Sequence, residues 1–338
     1  MYSKEHAIQQ KNHIQDEAVK LLYSNIRILL SWATGCGKTL ASLKMLKTWY
    51  HFRKENGLDV NGYIVCKEYG HISNWQAEIE EHEMSFVNEI CDMFLYDSLH
   101  KYEKNVSFVI LDEVHTLTPL RARRLSKIIT PETLVIMLSA TVDGEKALLL
   151  RSFMQVYHEY KIPISEAIEM GILPPPKVYL HYYDMTPNQA VEYHEISEKI
   201  TNFLYLSEET GEDFYNIMAR NAGSQRKRLI ATFKTAHAKE IIKSFGDSRF
   251  IAFTGSKIQC EELGGDNYVH SGNTPKTNLR KKDEFNKGEI SNLFVVNMFR
   301  ESINLTNIEK GLIVQLDSVK LSFIQMLGSC LLYTSDAA

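Results

Sequence analysis

The sequence predicts two α/β domains, each built on a parallel β-sheet, with a helical segment between them. Short runs of β-branched and aliphatic residues alternate with helix-like stretches in the first half, and the same rhythm returns towards the other end. A proline-rich break at 171–177 separates the two regions. Parallel strands buried on both faces read as continuous apolar runs joined by crossover helices, which is the pattern here. A length of 338 residues accommodates two domains of ordinary size, and 44% hydrophobic residues supplies their cores.

In the first half the strand candidates are IRILLSW (26–32), YIVCK (63–67), SFVILDEV (107–114) and TLVIMLSAT (133–141). Each is short, rich in Val, Ile or Leu, and bounded by polar or glycine-bearing segments. Residues 1–150 are assigned to the first domain and 151–186 to a linker that contains GILPPPK. Three consecutive prolines remove backbone donors and hold the chain extended. From 187 to 245 the pattern is helical, opening on Thr186 as N-cap with Pro187 at the first helical position. Strand candidates resume at RFIAFTGS (249–256), NYVHSG (267–272), NLFVVN (292–297) and GLIVQL (311–316), so the second domain is placed over 246–329.

Composition excludes several classes. A net charge of -4 gives no global basic field, so any hold on nucleic acid rests on local clusters such as RARR (121–124), RKR (226–228) and RKK (280–282). No apolar run has the length of a membrane span, and the opening MYSKEHAIQQ lacks the plan of a signal peptide, so a cytoplasmic protein is expected. Five scattered cysteines without CxxC spacing read as reduced thiols, not as a zinc site or a disulfide framework.

Chemistry concentrates at three places. ATGCGKT (33–39) lies between a strand-like run and a helix-like one, where backbone N–H groups of a glycine-bearing turn make a concave site for phosphates. Gly35 and Gly37 allow the turn, with Thr34 before them and Cys36 between; Lys38 reaches β/γ-phosphates and the Thr39 hydroxyl suits Mg²⁺. Trp32 stands where the common pattern has glycine. FVILDEVH (108–115) ends an apolar strand on Asp112 and Glu113, at the sheet edge where ligands of open α/β sheets bind. Asp112 suits the Mg²⁺ shell, and Glu113 can orient and deprotonate an attacking water. At LSAT, Ser139, Ala140 and Thr141 either cap the next helix or couple the state of the γ-phosphate to domain movement.

GCGKT, DEVH and SAT in this order resemble the superfamily-two helicases and translocases, DEAD/DEAH-box-like ATPases with two RecA-like domains. The resemblance runs over nearly the whole chain. Gln15, in IQDEAV, looks like the family's adenine-reading glutamine, and His115 joins Ser139, Ala140 and Thr141 as a coupling residue. CKEYGHISNWQAEIE (66–80) is similar to the Swi/Snf segment that touches a DNA backbone, which implies contacts from Lys67 and Trp75, although the usual proline is missing. FIAFTGS resembles motif IV, VHSGNTPKTNLRKKDEFNKGEISNLFVVN follows the family's pattern of a glycine-bearing strand end, an arginine, a phenylalanine and the next strand, and NMFRESINLTNIEKGLIV resembles motif V, which together imply nucleic-acid contacts from Thr254, His270 and Asn304. Gln325 opens a QMLG stretch similar to motif VI, where Ser329 replaces the expected arginine. The last nine residues, CLLYTSDAA, match a translated transposase mosaic-end adapter and are expected to be non-native.

The resemblance implies an ATP- and Mg²⁺-dependent helicase or translocase acting on nucleic acid, DNA in preference to RNA. It would work in the cytoplasm of a bacterial cell or a phage-infected host. A non-catalytic, degenerate helicase and another P-loop phosphotransferase are the alternatives. Intact Lys38, Asp112 and Glu113 speak against the first, and a second sheet with its own ordered motifs speaks against the other.

Overall fold

The computed structural model describes residues 3–296 except 103, 141 and 143, together with 305 and 307–315. Thr141, Asn304, Gln325, Ser329 and the final nine residues lie outside the described residues. The chain divides into two compact units, one running to Pro175 and the other starting at Pro176. No helix among the described residues is long and apolar enough to cross a membrane.

The first unit opens with helix α1 (Lys4–Lys20) and continues through β1 (Arg27–Trp32), α2 (Lys38–Glu55), β2 (Gly62–Cys66) and α3 (Tyr69–Glu81). Then come α4 (Phe86–Ile90), β3 (Cys91–Leu95), β4 (Phe108–Leu111), α5 (Pro119–Leu125), β5 (Leu134–Ser139), α6 (Gly144–Met154), β6 (His158–Ile162) and α7 (Ile164–Glu169). Its six strands lie in the order β3-β2-β4-β5-β1-β6, and every pair is parallel. The apolar runs fill both faces of this sheet. Ile28, Leu30, Ile64, Ile110 and Ile136 pack into one core, while Leu29, Val65, Val109, Leu111 and Val135 pack into the other. A strand sends successive side chains to opposite faces, so sandwiching between helix layers demands apolar residues at every position.

Two strands depart from the sequence expectation. His158–Ile162 falls within the expected linker, yet it forms β6 and pairs with β1 along its length. Its sequence HEYKI buries only Ile162 fully, as suits an edge strand with solvent on one side, and so carries no apolar run to detect. β3 is the opposite edge, and its CDMFL sequence lacks a continuous buried run for the same reason. One close approach fixes β2 against β4: Gly62 sits in register with Phe108, and a Cβ there would lie 2.4 Å from the buried ring.

The second unit comprises α8 (Pro187–Thr210), α9 (Asp213–Lys243), β7 (Phe250–Thr254), α10 (Lys257–Gly264), β8 (Tyr268–Val269), α11 (Pro275–Asn286), β9 (Asn292–Val296) and β10 (Lys310–Ile313). Its sheet has the order β10-β7-β9-β8, again parallel throughout. The start of α8 is set by a capping box: Thr186 Oγ1 accepts from the Gln189 N–H at 3.4 Å, and Gln189 Oε1 accepts from the Thr186 N–H at 2.9 Å. Two long helices then form a hairpin, with the Arg226 guanidinium over the Tyr193 ring and donating to Ser197 Oγ at 3.0 Å. Buried Gln259 ties this hairpin to the sheet. Its Oε1 accepts from the Gly255 N–H at 2.9 Å, while its amide nitrogen donates to the Ala231 carbonyl and to Thr235 Oγ1 of α9.

Candidate functional site

The strand order sets β4, β5 and β1 side by side in parallel, so the three segments that follow them emerge at one edge of the first sheet. These segments hold ATGCGKT, Asp112-Glu113 and the SAT residues. β1 ends on Trp32, whose ring is fully buried and packs edge-on against Tyr160 of β6, with centroids 5.3 Å apart. A glycine here would leave that space empty, so the indole serves as core. The turn then uses Gly35 at φ 93° and Gly37 at φ 78°, the second forming the N-cap of α2. Both lie in the left-handed region that glycine enters without steric cost.

Gln15 of α1 packs beside this turn, with Nε2 3.5 Å from the Gly37 carbonyl oxygen. Its Oε1 is buried and has no hydrogen-bond partner among the described residues. Lys38 Nζ donates to the Trp32 carbonyl at 3.0 Å, which places the ammonium across the turn. Thr39 lies in the first turn of α2, and its carbonyl accepts from Ser42 Oγ at 2.7 Å. Cys36 is buried within the turn, and burial pushes its thiol up to about 11.

Asp112 is the most heavily bonded carboxylate of the site. His71 Nδ1 lies 3.0 Å and Trp75 Nε1 3.2 Å from its Oδ2, while the Glu113 N–H donates to Oδ1 at 2.9 Å. Tyr96 Oη donates to the Asp112 carbonyl at 2.9 Å. Burial acts to raise the Asp112 pKa, but the hydrogen bond and charge of His71, the Trp75 N–H and the charge of Lys38 together hold it below the ordinary carboxylate value. Burial likewise works against a charged His71, and its contact with Asp112 more than offsets this, raising its pKa.

Glu113 has left-handed backbone angles, φ 49° and ψ 52°, uncommon for a residue with a side chain. That turn aims its carboxylate at His115, whose Nδ1 lies 3.0 Å from Glu113 Oε2 and 3.1 Å from Ser139 Oγ. A single imidazole nitrogen of His115 therefore lies close to both the Glu113 carboxylate and the Ser139 hydroxyl, and Ala140 is buried next in the chain. Such non-glycine strain is commonly stored where geometry serves function.

Three of the nucleic-acid contacts expected from the sequence fall on buried side chains. Trp75 is 1% exposed and turns its indole N–H inward to Asp112. Thr254 is fully buried and donates to the Val295 carbonyl at 3.2 Å. His270 is 4% exposed, with Nε2 2.7 Å from Glu261 Oε1 and Nδ1 accepting from the Gly272 N–H. In this arrangement the polar atoms of all three side chains bond within the protein. Lys67, half-buried just past β2, lies at the same sheet edge as the glycine turn 33–39. His71 belongs to no nucleotide motif of the sequence; its only signal there is the spacing of four residues to Trp75, which sets both on one face of α3.

Two parallel sheets of this construction, the first bearing a glycine turn and a strand-end Asp-Glu pair at one edge, match in fold the two RecA-like domains of helicases of known structure. No protein-family model matches the sequence, and no curated protein matches it. Solved structures match in fold. The helicase domain of Hef from Pyrococcus furiosus is similar at 12% identity and TM-score 0.51, over 97% of this chain and 94% of that one. Dbp5 from S. cerevisiae, bound to RNA and ADP BeF3, is similar at 12% identity and TM-score 0.60, over 96% and 83%. The DUF1998 helicase MrfA, bound to DNA and AMPPNP, is similar at 13% identity and TM-score 0.59, over 93% of this chain and 45% of that one.

Proposed function

We propose that the chain is an ATP-dependent nucleic-acid translocase or helicase, binding Mg²⁺-ATP at the turn 33–39 and using hydrolysis to step along nucleic acid. The observation that carries this reading is the alignment of Lys38, Asp112 and Glu113 at one edge of a parallel sheet in a chain with a helicase fold. The residues suit the ligands. Gly37 leaves the turn open where a side chain would collide with Gln15, and among the described residues the Asp112 carboxylate has one acceptor position, on Oδ1, without a donor. Bound Mg²⁺ would screen the phosphate charge.

In this mechanism the backbone N–H groups of the turn and the Lys38 ammonium orient the phosphates, and Thr39 with Asp112 holds the metal. Glu113 accepts the proton of the attacking water. The His115 bridge then relays the position of Glu113 to Ser139, the start of the SAT segment. Gln15 stands beside the turn as a candidate for base recognition. DNA is the preferred substrate on the Swi/Snf-like segments of the sequence, and phosphate contacts make the binding salt-sensitive and weakly dependent on base sequence.

ATPase activity measured with and without single- and double-stranded DNA and RNA tests the proposal. Stimulation by nucleic acid, absent in Lys38→Ala, is expected. Nucleotide binding unchanged in a folded Lys38→Ala variant would overturn the site assignment, and ATP turnover indifferent to all four polynucleotides would overturn the translocase reading.

A further inference from the structure

We infer that His71 is a positioning residue for the metal site: together with Trp75 it turns the Asp112 carboxylate so that a single lone pair, on Oδ1, faces the Mg²⁺ shell. The inference rests on the reading of Asp112 as a metal-site residue and goes beyond it by assigning a role to a helix that carries none of the recognised nucleotide motifs.

An ionised carboxylate offers about four acceptor positions, two on each oxygen. On Asp112, Oδ2 receives both His71 Nδ1 at 3.0 Å and Trp75 Nε1 at 3.2 Å, and Oδ1 receives the Glu113 N–H at 2.9 Å. Among the described residues, three of the positions are thereby filled by protein, and the remaining one belongs to Oδ1. The Tyr96 hydroxyl, bonded to the Asp112 carbonyl, fixes the backbone from which the carboxylate swings. Both Oδ2 donors come from one face of α3, so a single rigid element sets the rotation of the group.

A purely structural histidine would satisfy both ring nitrogens. His71 is 5% exposed, yet its Nε2 is buried without a hydrogen-bond partner among the described residues. Burying a polar nitrogen unpaired is unfavourable, and an apolar side chain would fill this space at lower cost. The imidazole is therefore explained by what Nδ1 does to Asp112. Partners of this kind, one step removed from a metal, orient the ligand and contribute about 10- to 100-fold to metal affinity.

The test is equilibrium binding of a fluorescent, non-hydrolysable ATP analogue to the full chain at a series of Mg²⁺ concentrations, with Mn²⁺ paramagnetic resonance as a second readout. His71→Leu is expected to raise the Mg²⁺ concentration at half-maximal binding about 10-fold, leaving affinity for the analogue in EDTA unchanged. His71→Asn, whose amide nitrogen falls near the place of Nδ1, should restore most of that loss. Trp75→Phe keeps a ring in the core and removes the other Oδ2 donor, so it should shift the Mg²⁺ dependence in the same direction; it also serves if His71→Leu does not fold. A Mg²⁺ dependence matching wild type in His71→Leu and Trp75→Phe, or an equal loss of binding with and without Mg²⁺, would overturn the inference. Failure of the underlying nucleotide-site reading shows separately, as analogue binding that Lys38→Ala leaves intact.

Discussion

Alanine at Gly37 would strain the glycine turn before α2 in two separable ways. The backbone there has φ 78° and ψ 40°, and holding an L-residue in that region costs about 1–2 kcal/mol. The added Cβ would also fall 2.5 Å from Gln15 Nε2, closer than any packed contact, in a place where Gln15 is only 2% exposed. Displacing a buried side chain in this way costs about 1–3 kcal/mol. The single substitution should therefore destabilise the first unit by about 2–5 kcal/mol, the sum of the two effects. In a Gln15→Ala background the collision disappears and only the backbone cost of about 1–2 kcal/mol remains. Urea unfolding followed by tryptophan fluorescence measures this cleanly, because all three tryptophans, Trp32, Trp49 and Trp75, lie in the first unit. Additive effects of Gln15→Ala and Gly37→Ala, to within about 0.5 kcal/mol, would refute the steric part of the reasoning, and a Gly37→Ala cost below about 0.5 kcal/mol would refute both parts.

Glu113→Gln should keep nucleotide affinity while lowering turnover by roughly 10²–10⁴, since an amide cannot accept the water's proton; rapid-quench kinetics beside equilibrium binding separates the two. Lys38→Ala should weaken nucleotide binding by roughly 10- to 100-fold in a titration calorimeter, the loss of a charge-assisted contact of about 1.5–3 kcal/mol. Two glycine-to-alanine changes should act with opposite signs: Gly62→Ala drives a Cβ into the Phe108 ring and destabilises by about 1–3 kcal/mol, whereas Gly223→Ala, in open space within α9, stabilises by about 0.5–1 kcal/mol. Denaturant midpoints from circular dichroism check both. With its pKa pushed up to about 11, the Cys36 thiol should be about one part in a thousand ionised at pH 8, so brief maleimide treatment should leave nucleotide binding unaffected; rapid loss of binding would show the turn to be more open than described.

The parts of the fold that are legible in the sequence are those under the strongest physical constraint. Strands covered on both faces must be apolar at every position, so the runs around Leu29, Ile64, Ile110 and Ile136 announce themselves. Edge strands escape that constraint, and β3 and β6 carry no such signature. At the site, glycines that must enter positive φ and an acidic pair closing an apolar strand are narrow requirements written directly in residue type, and the structure gathers both at one edge of the first sheet. Side chains whose role depends on direction are not legible. Trp75 and His270 could face outward or inward on the same sequence, and only tertiary packing turns the one to Asp112 and the other to Glu261.

The Gln259 tie gives α9 a mechanical character. It grips the helix at Ala231 and Thr235, and the eighteen residues back to Asp213 run on from the grip, paired with α8, as a stiff arm of about 27 Å. A tilt of about 10° at the grip sweeps the free end through about 5 Å, close to one helical turn. The loop held by the same glutamine, at Gly255, lies at the end of β7, so a small rearrangement of that strand end reaches the hairpin tip as a large one. Leverage of this kind would make the hairpin tip the most sensitive reporter of any strain arising at the sheet.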